Sequence, residues 1–316
     1  MHFVIVGCGA VGGYFGGRLA QYGENVTFVA RGQQFLDLQS SGLSINSIEG
    51  DIHLEHVNVV DAQTLNTTSL TMPADVIFLC VKSYQLVTAI KQIKPLINTH
   101  TRVVSLLNGV NAADVIQKNG IERKNIIGGL AKIIADKTVE GVINHTGAKP
   151  HITLGALPNN NLAPEQKTQE IEVISAIAKS LTLSGISVGV TSDIALALWR
   201  KYIFVAAWGA LAAAKKLTLG EILSQSHIQF LLERLVHEYA NIAVKLGVDI
   251  KDKHINETLT FLRRLPATSE TSMQRDIAAG HDSEFDILVA YAKMQADKYS
   301  ISAPVLKQCY DKLIIE

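Results

Sequence analysis

The sequence predicts an α/β protein in two parts, a doubly wound parallel sheet followed by an all-helical domain. Three observations carry this. Glycines at positions 7, 9 and 12 stand between a strand-like and a helix-like stretch. Strand-like and helix-like runs then alternate to about residue 190, the pattern of a parallel sheet with right-handed crossovers. From Ser192 the alternation stops and long helical patterns take over, so the expected domains are 1–191 and 192–316.

His2-Phe3-Val4-Ile5-Val6 reads as a buried strand ending at Gly7, and Ala10 to Tyr22 reads as a helix. Gly7, Gly9 and Gly12 therefore have the G-x-G-x-x-G spacing of a Rossmann-type dinucleotide turn, with Cys8, Ala10 and Val11 between them. Such glycines serve a tight turn, close approach of backbone to a pyrophosphate, and close packing of helix on strand. Unpaired N–H groups and the helix dipole favour an anion at the helix start. A glycine-rich turn that binds nothing has the same spacing; the strand–turn–helix context speaks against it.

Asn25–Ala30 reads as the second strand and ends at Arg31. At this place a carboxylate would accept from the 2′-hydroxyl of NAD, whereas an arginine suits a 2′-phosphate. No Asp or Glu follows before Asp37, so NADP (NADPH when reduced) is favoured over NAD. Residues 33–72 are polar, with short strands expected at Gly42–Ser47 and Ile52–Val60. Ala74–Lys82 is a strong buried strand with Lys82 just past its end. Thr101–Leu107 repeats the pattern and runs into Asn108-Gly109-Val110; a helix over Asn111–Lys118 and a strand over Asn125–Ala131 follow. Ligands on such sheets bind beyond the carboxyl ends of the strands. The glycine turn, Arg31, Lys82 and Asn108 are thus expected on one rim. Val139–Thr146 and His151–Gly155 read as an antiparallel pair, Leu157–Gln166 as a surface loop, Pro164–Ser184 as a helix and Gly185–Val190 as a last strand.

In the second part, helices are expected from Ser192 or Asp193 to about Ala214, then at Leu219–Ser224, Ile228–Leu246, Asp252–Leu265, Ser272–Ala279, Ser283–Tyr299 and Ala303–Leu313. The 316 residues are 47% hydrophobic and 18% charged, enough for large cores. Lys+Arg and Asp+Glu both total 29, giving zero net charge and no basic block. Nothing in this balance points to nucleic acid. Three scattered cysteines make neither a disulfide framework nor a C-x-x-C motif, and no cluster has metal-ligand spacing. The strand at the N-terminus leaves no room for a signal peptide. No uninterrupted apolar run reaches membrane-spanning length, Ile203–Ala214 being the nearest. The expectation is a soluble cytoplasmic protein, with a homodimer allowed by its apolar helical part.

A dinucleotide domain before a helical one implies hydride transfer, with substrate in the cleft between them. The protein must then supply orientation and a proton. His145, His151, His227, His237, His254 and His281 all lie in polar, surface-like stretches. Lys201 is different, because it follows Trp199-Arg200 in a helix whose next thirteen residues carry no charge. With an ordinary pKa near 10.4, a lysine is charged at neutral pH and can both stabilise an alkoxide and protonate it. Ser283-Glu284-Phe285-Asp286 opens a later helix, where carboxylates are also ordinary first-turn residues. Ser272 and Asp276 share a face of the preceding helix, a pattern that a cap and a surface charge would also produce.

These residues together resemble the ketopantoate reductase (2-dehydropantoate 2-reductase) family over essentially the whole chain. The matching pieces are Gly7-Cys8-Gly9-Ala10-Val11-Gly12, Arg31, Cys80-Val81-Lys82 with Gln85, Leu107-Asn108-Gly109, Leu198-Trp199-Arg200-Lys201, Thr271-Ser272-Met273 with Asp276, and Glu284-Phe285-Asp286. The resemblance implies reduction of 2-dehydropantoate to pantoate by NADPH, on the route to pantothenate and coenzyme A. It implies Lys201 as general acid and Glu284 as a substrate-binding residue near the hydroxyl. It puts Asn108 near nicotinamide and substrate, Ser272 at the carboxylate, and Arg31, Lys82 and Gln85 at the cofactor. One departure stands out. Better-known members carry asparagines four and eight residues after the lysine, where this chain has Val205 and Gly209. A polyhydroxylated substrate loses amide partners there, which leaves room for a paralogous reductase of a more apolar 2-oxo acid. A non-catalytic NADP-binding sensor is a third reading; retention of both Lys201 and Glu284 argues against it.

Overall fold

The computed structural model describes residues 1–66, 68, 70, 72–158 and 163–314. Its chain divides into two compact units. One comprises Met1–Leu107 with Asn111–Ile194, the other Asn108–Val110 with Ala195–Glu316.

The first unit is built on an eight-stranded sheet. In chain order its strands are β1 (His2–Val6), β2 (Asn25–Ala30), β5 (Asn58–Asp61), β6 (Val76–Leu79), β7 (Arg102–Ser105), β8 (Ile126–Lys132), β11 (His151–Gly155) and β12 (Ser187–Val190). Their spatial order is β12-β11-β8-β7-β6-β1-β2-β5. The six from β8 to β5 are parallel; β11 runs against β8, and β12 is parallel to β11. The strand order reverses between β1 and β6, the switch point at which such sheets bind ligands. In register, Val6 stands beside Val29 on one side and Leu79 on the other, and Leu79 beside Ser105. Four neighbouring strands therefore end level. Apolar residues on both faces explain the unbroken Val/Ile/Phe runs. Phe3, Ile5, Phe28, Phe78, Val104 and Ile127 form part of one core with Ile174, Ile177 and Leu181 of α5 (Pro164–Leu183).

A second, four-stranded sheet has the order β4-β3-β10-β9, made by β3 (Leu43–Ser47), β4 (Ile52–Leu54), β9 (Ala135–Lys137) and β10 (Ile143–His145). Two expectations fail here. The stretch Ile52–Val60 is two strands in different sheets, β4 and β5. The expected pair of Val139–Thr146 with His151–Gly155 does not form either. Ile143–His145 pairs with β3 and β9, whereas β11 pairs with β8 and β12. Alternation marks a half-buried strand without naming its partner, because register is decided by what covers each face. Of the expected loop Leu157–Gln166, residues 159–162 lie outside the described residues.

Helix α1 (Ala10–Tyr22) contacts both sheets. A Cβ on Gly12 would stand 2.1 Å from the Gly7 carbonyl oxygen, and one on Gly16 2.5 Å from Phe28 of the large sheet. On the neighbouring face, a Cβ on Gly13 would meet Ile143 at 2.2 Å and one on Gly17 would meet Ile45 at 2.6 Å, both in the small sheet. Pairs spaced by four lie one above the other on a helix. Two bare stripes thus let one helix lie close to two sheets.

The second unit is helical: α6 (Ile194–Lys215), α7 (Leu219–Ser224), α8 (Ser226–Lys245), α9 (Asp252–Leu262), α10 (Ser272–Ala278), a π-helical turn over Asp286–Ala290, α11 (Tyr291–Lys298) and α12 (Pro304–Leu313). The expected continuous helix over Ser283–Tyr299 is therefore interrupted by a wider turn. Helix α8 packs against α7, α9, α11 and α12. Its Glu238 is buried and accepts from the N–H groups of Val305 and Leu306 at 3.1 and 2.8 Å, capping α12. Helix α6 is longer than the Ile203–Ala214 stretch and is apolar and long enough to cross a membrane by those criteria. More than half of its most apolar stretch is buried, with Tyr202, Ile203, Ala206, Ala207, Ala210 and Leu211 in the unit's core. Its alanines permit close approach of neighbouring helices.

Gly12→Ala puts a methyl against backbone rather than against a flexible side chain. It should lower the stability of the full chain by about 1–3 kcal/mol, read as a lower urea midpoint at unchanged slope. An unshifted midpoint would show that α1 can move away without cost.

Candidate functional site

In the first unit the glycine turn lies at the switch point. Gly7 has φ +93°, in the left-handed region, and donates its N–H to Val29 O at 3.1 Å. A Cβ there would stand 2.9–3.0 Å from Val81 and the Cys80 carbonyl, so the turn presses against the end of β6. Gly12 packs equally closely on Gly7 and Cys80. Gly9 is the opposite case: it precedes α1, and a Cβ on it would meet nothing within 4 Å. The three glycines therefore divide as turn, open approach and close packing. Ala10 and Val11 begin α1 and are half-buried. This cradle fits a pyrophosphate, with N–H groups of the first turn of α1 available to it.

Cys8 is buried beneath the turn, with its thiol toward Val29 O, and burial pushes that thiol up to about 12. Cys80 is likewise pushed up by burial, with Cys8 adding to the effect. Burial therefore favours the neutral thiol at both positions. The Gln34 side-chain amide donates to Cys8 O and ties α2 (Gln33–Ser41) to the turn, a link with no signal in the sequence. Arg31 is exposed directly after β2, and Gly32 (φ +55°) turns the chain into α2. Lys82 is half-buried and precedes a short 3-10 turn over Ser83–Gln85 beyond β6. No polar contact among the described residues engages the side chains of Arg31, Gln85 or Ser272.

In the second unit, Asn108 and Glu284 come together although 176 residues separate them. The Asn108 side-chain amide donates to Glu284 Oε2 at 2.9 Å. Glu284 is 4% exposed, so this contact replaces water that its carboxylate has lost. Lys201 is half-buried on α6, between buried Trp199 and buried Tyr202. Its neighbour Arg200 is exposed and pairs with Glu257 of α9, whereas Lys201 is half-buried. Ser272 is the first residue of α10; the cap is Thr271, whose hydroxyl accepts from Gln274 N at 3.2 Å. Asp276 is half-buried on the same helix.

Val205 is half-buried and Gly209 buried on α6. A Cβ on Gly209 would contact Met273 at 3.4 Å and Thr271 at 3.6 Å, so this position borders the residues on either side of Ser272. Trp208 is buried beside Phe204, with ring centroids 5.8 Å apart, and its indole N–H has no partner among the described residues. Lys201, Val205 and Trp208 share a face of α6, at spacings of four and seven. Two histidines read as surface groups are buried. His145 bonds Ser47 Oγ and Ala148 O, and His254 accepts from Lys251 N ahead of α9. Each is held by structural partners that lie far from it in chain order or at a helix end, which composition of the local stretch does not reveal.

Asn108→Ala and Glu284→Ala, made singly and together in the full chain, should show a coupling of about 1–3 kcal/mol in unfolding free energy. Additive losses would mean that the amide does not satisfy the carboxylate.

Residues 3–159 match the family described as ketopantoate reductase PanE/ApbA, and residues 193–314 match its C-terminal counterpart. An uncharacterised oxidoreductase of Bacillus subtilis is 28% identical over 313 residues, covering 99% of this chain and 98% of that protein. A 2-dehydropantoate 2-reductase of a Nostoc species is 25% identical over 313 residues, covering 98% of this chain and 93% of its own. Among solved structures, a 2-dehydropantoate 2-reductase from Geobacter metallireducens has the same fold, with TM-score 0.87 at 23% identity, covering 100% of this chain and 99% of its own. So has a D-mandelate dehydrogenase bound to NADH and anilino(oxo)acetate, with TM-score 0.86 at 21% identity, covering 100% and 98%.

Proposed function

We propose, from the premise that this chain belongs to the ketopantoate reductase family, that it is an NADPH-dependent reductase of a 2-oxo acid, with 2-dehydropantoate the first candidate substrate. The observation that carries the reading is the buried Glu284 held by Asn108, in the same unit as Lys201. A buried carboxylate with one protein donor is suited to accept from a substrate hydroxyl. The setting proposed is the cytoplasm.

The Gly7–Gly12 turn and the start of α1 would hold the pyrophosphate, and Arg31 the 2′-phosphate; Lys82 and Gln85 would complete the cofactor site. When bound, NADPH supplies the hydride to the ketone carbon. Lys201 would place its ammonium at the ketone oxygen, stabilise the charge that develops there and give it a proton. Ser272 would donate to the substrate carboxylate, and Glu284 would orient the substrate through its hydroxyl. Asn108 keeps the Glu284 carboxylate in place.

A second reading has its own support. Val205, Gly209 and Trp208 give the Lys201 side of α6 a more apolar surface than asparagines would. An unmet amide or hydroxyl costs about 1–3 kcal/mol in a buried place, so such a surface discriminates against a polyhydroxylated acid. The substrate would then be a 2-oxo acid with an apolar or aryl side chain. The fold neighbour that holds anilino(oxo)acetate is consistent with that class.

NADPH oxidation measured with 2-dehydropantoate and with a panel of branched and aryl 2-oxo acids separates the two readings by their kcat/KM. Failure of every acid, with NADPH bound tightly, would favour a non-catalytic NADP sensor. Lys201→Ala should lower kcat on the order of 10²–10⁴-fold; near-normal turnover removes Lys201 from that role. Arg31→Ala should weaken NADPH far more than NADH in direct binding titrations, and equal weakening contradicts the 2′-phosphate assignment.

A further inference from the structure

We propose that Tyr202 and Tyr239 are positioning residues, which clamp the π-helical turn Asp286–Ala290 and thereby set Glu284 against Asn108. The inference rests on the reductase reading for its catalytic consequence and on geometry alone for the clamp.

The turn is wider than an α-helix, with the Tyr291 N–H reaching Asp286 O five residues back. Such turns are rare and occur mostly as single turns inside α-helices, frequently at functional sites. Here two fully buried phenols bond the carbonyls of the turn. The Tyr202 hydroxyl lies 2.7 Å from Ile287 O and 3.1 Å from Leu288 O, sharing its proton between them. The Tyr239 hydroxyl donates to Leu288 O at 2.8 Å. Both rings are locked by aromatic neighbours: Tyr202 meets Trp199 at 5.3 Å and Tyr239 at 5.6 Å, edge to face. A buried tyrosine places its hydroxyl on a partner or loses the bond, so the pair fixes where Leu288 O can be.

Leu288 is the link. Its N–H donates to Glu284 O at 3.0 Å while its own carbonyl accepts from both phenols, so a single residue joins the phenols to the backbone of Glu284. From Glu284 the chain of contacts continues through Oε2 to the Asn108 amide. The residue after Asn108 closes the arrangement from the other side. Gly109 has φ +97°, and a Cβ on it would stand 2.8 Å from Ile287 Cδ1, so the π turn packs directly on the 108–109 backbone. Tyr202 is also the immediate neighbour of Lys201 on α6. One clamp therefore ties the helix turn carrying the proposed acid to the segment carrying the proposed substrate-binding carboxylate. Leu288 O meets both phenol hydroxyls, one for each of its lone pairs, whereas Ile287 O meets one.

The test uses the full chain with Tyr202→Phe, Tyr239→Phe, Glu284→Ala and the pairwise combinations. Phe keeps the ring packing and removes only the hydroxyl. Hydrogen exchange read by mass spectrometry should speed up on the order of 10-fold in peptides spanning 284–293, and not elsewhere in the second unit. In steady state, kcat/KM for the 2-oxo acid should fall on the order of 10–10²-fold, with the NADPH Kd moved by less than about 2-fold. Tyr202→Phe added to Glu284→Ala should cost nothing more, because the hydroxyl acts through that carboxylate. Unchanged exchange in 284–293 overturns the clamp, and additive losses in the double variant overturn the positioning role. A wild-type chain that reduces no 2-oxo acid overturns the reductase reading instead, and exchange then decides the clamp by itself.

Discussion

Close approach without side chains is the constraint on which the first unit depends. Helix α1 has no Cβ at Gly12 and Gly16 toward the large sheet, nor at Gly13 and Gly17 toward the small one. A single helix can then cover the ends of β1 and β2 and still support β3 and β10. The same lack of side chains places Gly7 and Gly12 in contact with each other and with Cys80, which closes the turn at the switch point. Of the glycines at positions 7, 9, 12, 13, 16 and 17, Gly9 is the one that faces open space. A nucleotide cradle and a helix–sheet joint are thus made by the same short run of residues. Apart from Gly9, its glycines are fixed by packing before any ligand is considered.

The second unit solves a different problem. Its candidate polar groups sit among apolar helices, where an unmatched donor or acceptor is costly. Most are matched. Glu284 receives the Asn108 amide, the carbonyls of the π turn receive two phenols, and Glu238 receives two N–H groups at the start of α12. Trp208 is the exception, with an indole N–H that no described residue accepts.

Much of the first unit is legible in the sequence because strands buried on both faces must be continuously apolar, and the glycine spacing marks where the first one turns. The edges are not. Ile52–Val60 and Val139–Thr146 are short, half-buried stretches, and nothing local says which sheet completes them. The π turn is equally hidden, because Asp286–Ala290 has the composition of an ordinary helix and the tyrosines that bond its carbonyls are at positions 202 and 239. Lys201 is visible as a lone cation before a long uncharged run. The sequence does not show that Arg200 is exposed and paired with Glu257 while Lys201 is half-buried.

By itself the sequence determined an α/β unit with a dinucleotide turn and a helical unit after it, since periodicity and spacing are local properties of the chain; the roles of Lys201 and Glu284 came from the family resemblance. Only the tertiary structure decided that Asn108 meets Glu284, that burial raises the thiols of Cys8 and Cys80, and that Leu288 carries two phenols. Each of those depends on burial and on partners far away in the chain. The pKa of a thiol, the need of a carboxylate for a donor and the width of a helical turn are set by what surrounds them, and the surroundings exist only once the chain has folded.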